Sequence, residues 1–221
     1  MKWISQRGYF MKKVRGAALF IIAALGLAGC GSQEKTAEVS SLSFGKEGEI
    51  VHQIVGSFEE DYYDLEGLES LAAQRVEEYC AEHGEESVYL ESVKEKNGEI
   101  SILFHYATAE DYSGFNYRQL YMGTVKEANE EGYHLDSVAF TSPEGEPIEL
   151  GFTEDADAKK ILIIETKSGE ALLLDIGSKV LYINQSADSD QEVTFAGKKR
   201  VLIKDQGQEE KASALTYIVY E

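Results

Sequence analysis

Apolar positions alternate with polar ones from Leu42 onward, in "SLSF" (41–44) and "EIVHQIVGSF" (49–58), with "GKEG" between them. That pattern predicts a β-hairpin. The period then lengthens to three and four at Leu65, Leu68, Ala72, Val76, Tyr79 and His83, which predicts one face of a helix. Asp64 stands where a cap belongs and Gly84 where a helix stops. Alternation returns in "SVYLESVKEKNGEISILFHYA" (87–107), two strands joined by Asn97-Gly98, a dipeptide that accepts the positive φ angles of a tight hairpin turn. In the second strand Ile100, Ile102, Phe104 and Tyr106 share a face. Thr108 with Asp111, and Thr124 with Glu127, start two short helical turns, the second ending at Gly132.

Pro143 and Pro147, in "TSPEGEPIE" (141–149), mark the best candidate boundary. Beyond it, "KKILIIETKSGEALLLDIGSKVLYINQS", "QEVTFAGKKRVLIKD" and "ALTYIVYE" are short β-type runs separated by Gly, Ser and Asp turns. The expected fold is α+β. An antiparallel sheet with one long helix and short helical turns occupies 42–150, and a β-rich part occupies 151–221, as a second unit or as one with the first. The last strand is expected to run to Tyr220 and dock in a sheet.

The first thirty residues follow neither period. Lys12, Lys13 and Arg15 precede "AALFIIAALGLAG" (17–29), which carries no charge and is too short to span a bilayer, where a helix needs about 20 residues. A basic head, an apolar middle and a small-residue end form a secretory signal peptide over 1–29. "MKK" at Met11 supplies that basic head by itself, so Met11 is the expected start, although a longer basic head is tolerated. "LAGC" (Leu27, Ala28, Gly29, Cys30) then resembles the lipobox of bacterial lipoproteins. The resemblance covers residues 11–30. It implies that Cys30 receives a diacylglyceryl thioether, with palmitate-type chains, and becomes the mature N-terminus. It further implies that the partner is a membrane, reached through the lipid on Cys30. Two acyl chains hold stably where one holds marginally. The polar, aperiodic stretch after Cys30 completes a tether over 30–41.

Composition narrows the chemistry. Forty acidic residues against 21 basic ones give a formal net charge of −19, and the residues expected to be removed carry only basic side chains. Such a chain repels phosphate backbones, so no nucleic-acid partner is expected. Cys80 is the only cysteine besides Cys30. It stands four residues after Val76, beside the helix stripe, and is expected buried. No nucleophile elbow, phosphate loop, H-E-x-x-H or C-x-x-C is present. His52, His83, His105 and His134 fall in different elements, with His105 expected in solvent. Asp188, Asp190 and Glu192 have a spacing that suits calcium but lack an EF-hand's glycine and full loop, so an acidic turn is the expectation. "EEDYYD" (59–64) and "EDAD" (154–157) are acidic runs of the kind that so acidic a chain contains by chance. Asn184 opens a glycosylation sequon.

One concentration remains, the aromatic series Phe104, Tyr106, Tyr112, Phe115, Tyr117 and Tyr121. Such rings fill a core or stack on a glycan or protein partner. Phe104, Tyr106, Tyr112 and Phe115 are expected inside, Tyr117 and Tyr121 accessible. No catalytic, cofactor-binding or metal residue is identified, and Cys30 is the one assigned site. The function expected is a lipid-anchored, extracytoplasmic binding or interaction module on a bacterial cell membrane, that of a Gram-positive organism in the first instance. The alternative is an envelope hydrolase whose site assembles from residues distant in sequence.

Overall fold

Local alternation closes into hairpins wherever a turn permits. β1 (Ser40–Phe44) and β2 (Ile50–Ser57) pair antiparallel with Phe44 opposite Ile50. A 2.8 Å hydrogen bond from the Gly45 amide to the Glu49 carbonyl closes their turn. The computed structural model describes residues 39–150, 154–167, 169–184, 191–205 and 214–221. The expected signal peptide, Cys30, the tether up to residue 38, and Asp188 with Asp190 lie outside the described residues.

α1 (Leu65–His83) begins where Asp64 accepts from the Glu66 amide and ends at Gly84, whose φ of +119 suits only glycine. Leu65, Leu68, Ala72, Val76 and Tyr79 pack on the core, yet every residue of the helix keeps some exposure. β3 (Val88–Lys96) and β4 (Glu99–Tyr106) turn through Asn97 and Gly98 at φ 55 and 79. A bulge between Leu90 and Ser92 resets the alternation, so Val88, Leu90 and Val93 all reach the core. Cys80, expected buried, is half-buried, and its thiol donates to the Val88 carbonyl at 3.2 Å. The reason is that α1 lies along β3, the edge strand, where cover is thinnest.

α2 (Ala109–Asn116) starts at the Thr108 cap, and β5 (Leu120–Thr124) leads into α3 (Val125–Glu130) through a complete Thr124–Glu127 capping box. β6 (Phe140–Thr141) and β7 (Pro147–Ile148) form a small hairpin around Pro143. A short α4 (Glu154–Asp157) precedes β8 (Lys160–Thr166), β9 (Ala171–Asp175) and β10 (Val180–Asn184). β11 (Gln191–Phe195), β12 (Arg200–Asp205) and β13 (Ala214–Tyr220) follow. The C-terminal strand is docked as expected, paired with both β8 and β10.

The strands make two sheets, in the orders β11-β12-β9-β1-β2-β4-β3 and β5-β8-β13-β10-β6-β7. Every pair is antiparallel except β1 with β9, where Leu42 lies beside Leu174. The fold is mixed α+β with a β-rich C-terminal part. Strands from before and after residue 150 share each sheet, and Thr36–Glu221 form one unit. β8 is buried on both faces, which is why its sequence is a continuous apolar run. Leu162 and Ile164 face the large core with the first sheet, while Ile161 and Ile163 face a smaller core under α3. A buried polar bridge joins the sheets. Gln191 on β11 donates to the Thr166 hydroxyl on β8 and accepts from Thr216 on β13.

Candidate functional site

On β2 His52 alternates with Ile50 and Ile54, so the pleat turns it inward with them. It is 6% exposed, and its Nδ1 is buried without a hydrogen-bond partner. The ring meets Tyr112 edge-on, 5.6 Å between centroids, and lies 6.4 Å from Tyr106. Burial, assisted by the Arg118 charge, lowers the His52 pKa to about 4, so the imidazole is neutral at pH 7. Tyr112 is fully buried, and the Arg118 guanidinium lies near enough to its hydroxyl to act against the effect of burial. Burial pushes that phenol up to about 12. An unpaired buried polar atom costs about 1–3 kcal/mol, so the Nδ1 of His52 is a departure from ordinary core packing.

The chain reaches this place three more times. α2 stops at Tyr117, which takes the left-handed φ of 53 and brings the Arg118 amide back to the Ser113 carbonyl. From there Arg118 donates through Nη1 to both Glu170 oxygens at 2.7 Å. Burial opposes the guanidinium charge, but the hydrogen bond and charge of Glu170 outweigh it and raise the Arg118 pKa. Glu170 also accepts from the Lys167 amide at 3.3 Å, which ties the β8–β9 loop to the same cluster. On α1, Arg75 donates to the Phe115 carbonyl while its guanidinium lies 4.8 Å from the Phe115 ring centre and 5.3 Å from that of Tyr117.

His52, Arg75, Phe115, Arg118, Lys167 and Glu170 line a cleft of ≈ 440 Å³ between α1 and the inner face of β2 and β4, with Tyr112 behind His52. Ile54, Ile102, Phe104, Leu68 and Ala72 make its apolar walls. His52, Asn116, Arg118, Lys167 and Glu170, with Arg75, supply its polar groups. The size and the mixture match a small-molecule site, about 300–1,000 Å³ and mostly apolar with a few convergent polar groups. A larger hollow, ≈ 750 Å³, opens between the Gly45–Gly48 turn and the start of α3. Neither His52 nor Tyr112 lines it.

Other candidate residues go elsewhere. His83 stacks on Tyr79 at 4.0 Å, and His134 is exposed. His105, expected in solvent, is half-covered by Tyr89 and hydrogen-bonded to Glu91, the residue at the bulge. Among the described residues no three His, Cys, Asp or Glu side chains gather as a metal cluster. Asp64 of the first acidic run is spent as the α1 cap, and Glu192 is exposed on β11. Asn184 is 5% exposed and its side-chain oxygen accepts from the Tyr217 amide, so in the folded chain it is a structural group. Phe104, Tyr106, Tyr112 and Phe115 are buried, as parity and helical spacing predict, and Tyr117 is 82% exposed. Tyr121 is half-buried against Tyr133.

Sequence reasoning passed over the cleft. Its one legible signal was His52 in phase with Ile50 and Ile54. Arg118 and Glu170 carried none, since they meet only in the folded chain. No family model, curated protein or solved structure matches this chain, so the site rests on its own geometry. The Ser40 hydroxyl in the cleft is engaged by the amide and carbonyl of Val55, and the Glu170 carboxylate by Arg118.

Proposed function

We propose that this chain is a lipid-anchored, extracytoplasmic protein of the bacterial envelope whose folded part binds a small ligand in the cleft beneath α1. The observation that carries the binding role is the convergence of His52, whose Nδ1 has no partner, with the Arg118–Glu170 pair at an apolar cleft. The anchoring role rests on Lys12 through Cys30, a basic head and apolar run ending at a lipobox-like "LAGC". Among the described residues no helix is long and apolar enough to cross a membrane, and an acylated Cys30 needs none.

Two measurements test the two halves. Mass spectrometry of protein extracted from bacterial membranes is expected to find an acylated Cys30 at the N-terminus, and Cys30→Ala is expected to release the protein. An unprocessed, unmodified N-terminus in the membrane fraction refutes the anchor. For the cleft, the uncharged fluorophore N-phenyl-1-naphthylamine is expected to bind saturably, one molecule per chain. Ala72→Leu narrows the cleft from α1, where Ala72 is only half-buried, and is expected to abolish that binding without lowering the melting temperature by more than a few degrees. Non-saturable binding, or binding indifferent to Ala72→Leu, removes the cleft as the site.

A further inference from the structure

The charge of the cleft runs against the charge of the chain. Acidic residues outnumber basic ones by 40 to 21 overall. In the cleft lining three cations, Arg75, Arg118 and Lys167, face a single carboxylate, Glu170. Lys167 is exposed, but the two arginines are held in place. Arg118 is 17% exposed at its side chain and clamped by Glu170, and Arg75 is fixed over two aromatic rings. His52 adds no charge, because burial keeps it neutral. We infer that the cleft takes an amphiphilic anion, with its apolar body between α1 and the β2–β4 face and its anionic head at Arg118 and Lys167. This rests on the reading of the cleft as a ligand site and adds the ligand's chemical class.

Each half of the ligand answers a feature of the walls. A metal ion or organic cation is disfavoured, since the one carboxylate lining the cleft is already committed to Arg118. A bare inorganic anion would leave Ile54, Leu68, Ile102 and Phe104 facing water across the cleft, and apolar surface is worth covering at about 25 cal/mol per Å². Glu170 takes one nitrogen of the Arg118 fork, so it holds the guanidinium in place while the fork presents other N–H donors. Asn116 lines the same cleft and brings an amide. A protein surface so acidic repels anions at long range, so the affinity is expected to come from contacts inside the cleft rather than from steering.

The test uses displacement of N-phenyl-1-naphthylamine from the native protein by laurate, dodecyl phosphate, dodecanol and acetate. Laurate or dodecyl phosphate is expected to displace the probe at about tenfold lower concentration than dodecanol, and acetate not at all. The two anionic amphiphiles tell a carboxylate head from a phosphate head. Lys167→Gln, at an exposed position, is expected to keep the melting temperature, weaken the preferred anion about three- to tenfold and leave dodecanol unchanged. Raising the salt concentration is expected to close part of the same gap. If dodecanol matches both anions, or Lys167→Gln weakens all three alike, the anionic assignment is overturned while the cleft remains a binding site. If the fluorophore itself fails to bind, the site falls and this inference with it.

Discussion

His52 makes a protonation test possible at a single residue. Its pKa in the folded chain is about 4, against about 6.5 in an unfolded one. Between those values the unfolded chain binds the proton and the folded chain does not, so stability falls as pH drops from 6.5 to 4. The group's share is about 3 kcal/mol. His52→Gln removes it, while every carboxylate contribution stays common to both proteins. In urea unfolding, the stability difference between wild type and His52→Gln is therefore expected to shrink by about 3 kcal/mol between pH 7 and pH 4. A difference that holds constant with pH means the imidazole is not titrated from its buried position. Two rings give a second residue-scale test. Phe104→Ala is expected to cost about 3–5 kcal/mol, because its ring is buried against Phe115 and Tyr106. Tyr117→Ala, at an exposed ring, is expected to cost less than about 1 kcal/mol. Equal losses would put Phe104 at the surface. Parity in the sequence made Phe104 legible, and the same parity held His52. The residue was passed over because an imidazole among isoleucines has no fixed meaning until Arg118 and Tyr112 arrive beside it.

Elements were legible where their cause is local. The Asn97-Gly98 turn, the Asp64 cap and the Thr124–Glu127 box each depend on neighbours within a few residues, and all three form. Thr124→Ala is expected to cost about 1 kcal/mol, measured by thermal melting, since it leaves the Glu127 amide without its cap. Full retention of stability would mean that α3 is held by Val125 and Ala128 packing alone. The bulge at Leu90–Ser92 and the half-exposure of Cys80 were not legible, since both depend on which strand lies at the sheet edge. The Gln191 bridge was hidden for the same reason, its partners lying 25 residues away in either direction. Gln191→Ala leaves two buried hydroxyls short of a partner and is expected to cost about 2–3 kcal/mol in urea unfolding. Adding Thr166→Val and Thr216→Val is expected to recover part of that loss. A triple variant weaker than the single one by the sum of its parts overturns the bridge as a coupled unit.

At the scale of the molecule the strand order matters more than any strand. Sequence order suggested an early part and a late part, and pairing mixes them, with β1 between β2 and β9 and β5 beside β8. Far-UV and near-UV circular dichroism are expected to report one coincident urea transition, and a chain ended at residue 150 is expected to show none. Two separated transitions would mean that the sheets unfold independently. The β1–β9 contact also sets a timetable. Ser40 finds its neighbour Leu172 only when that residue exists, which at about 5–20 residues per second is a wait on the order of ten seconds. Through that interval the emerging chain can complete the β1–β2–β4–β3 ribbon but carries one unclosed edge along Leu42. An edge of that kind recruits the wrong strand as readily as the right one, including the same strand of a neighbouring nascent chain. For the folded part produced inside a cell without residues 1–29, yield is thus expected to fall as newly made copies crowd, and slower synthesis is expected to favour monomers over aggregates.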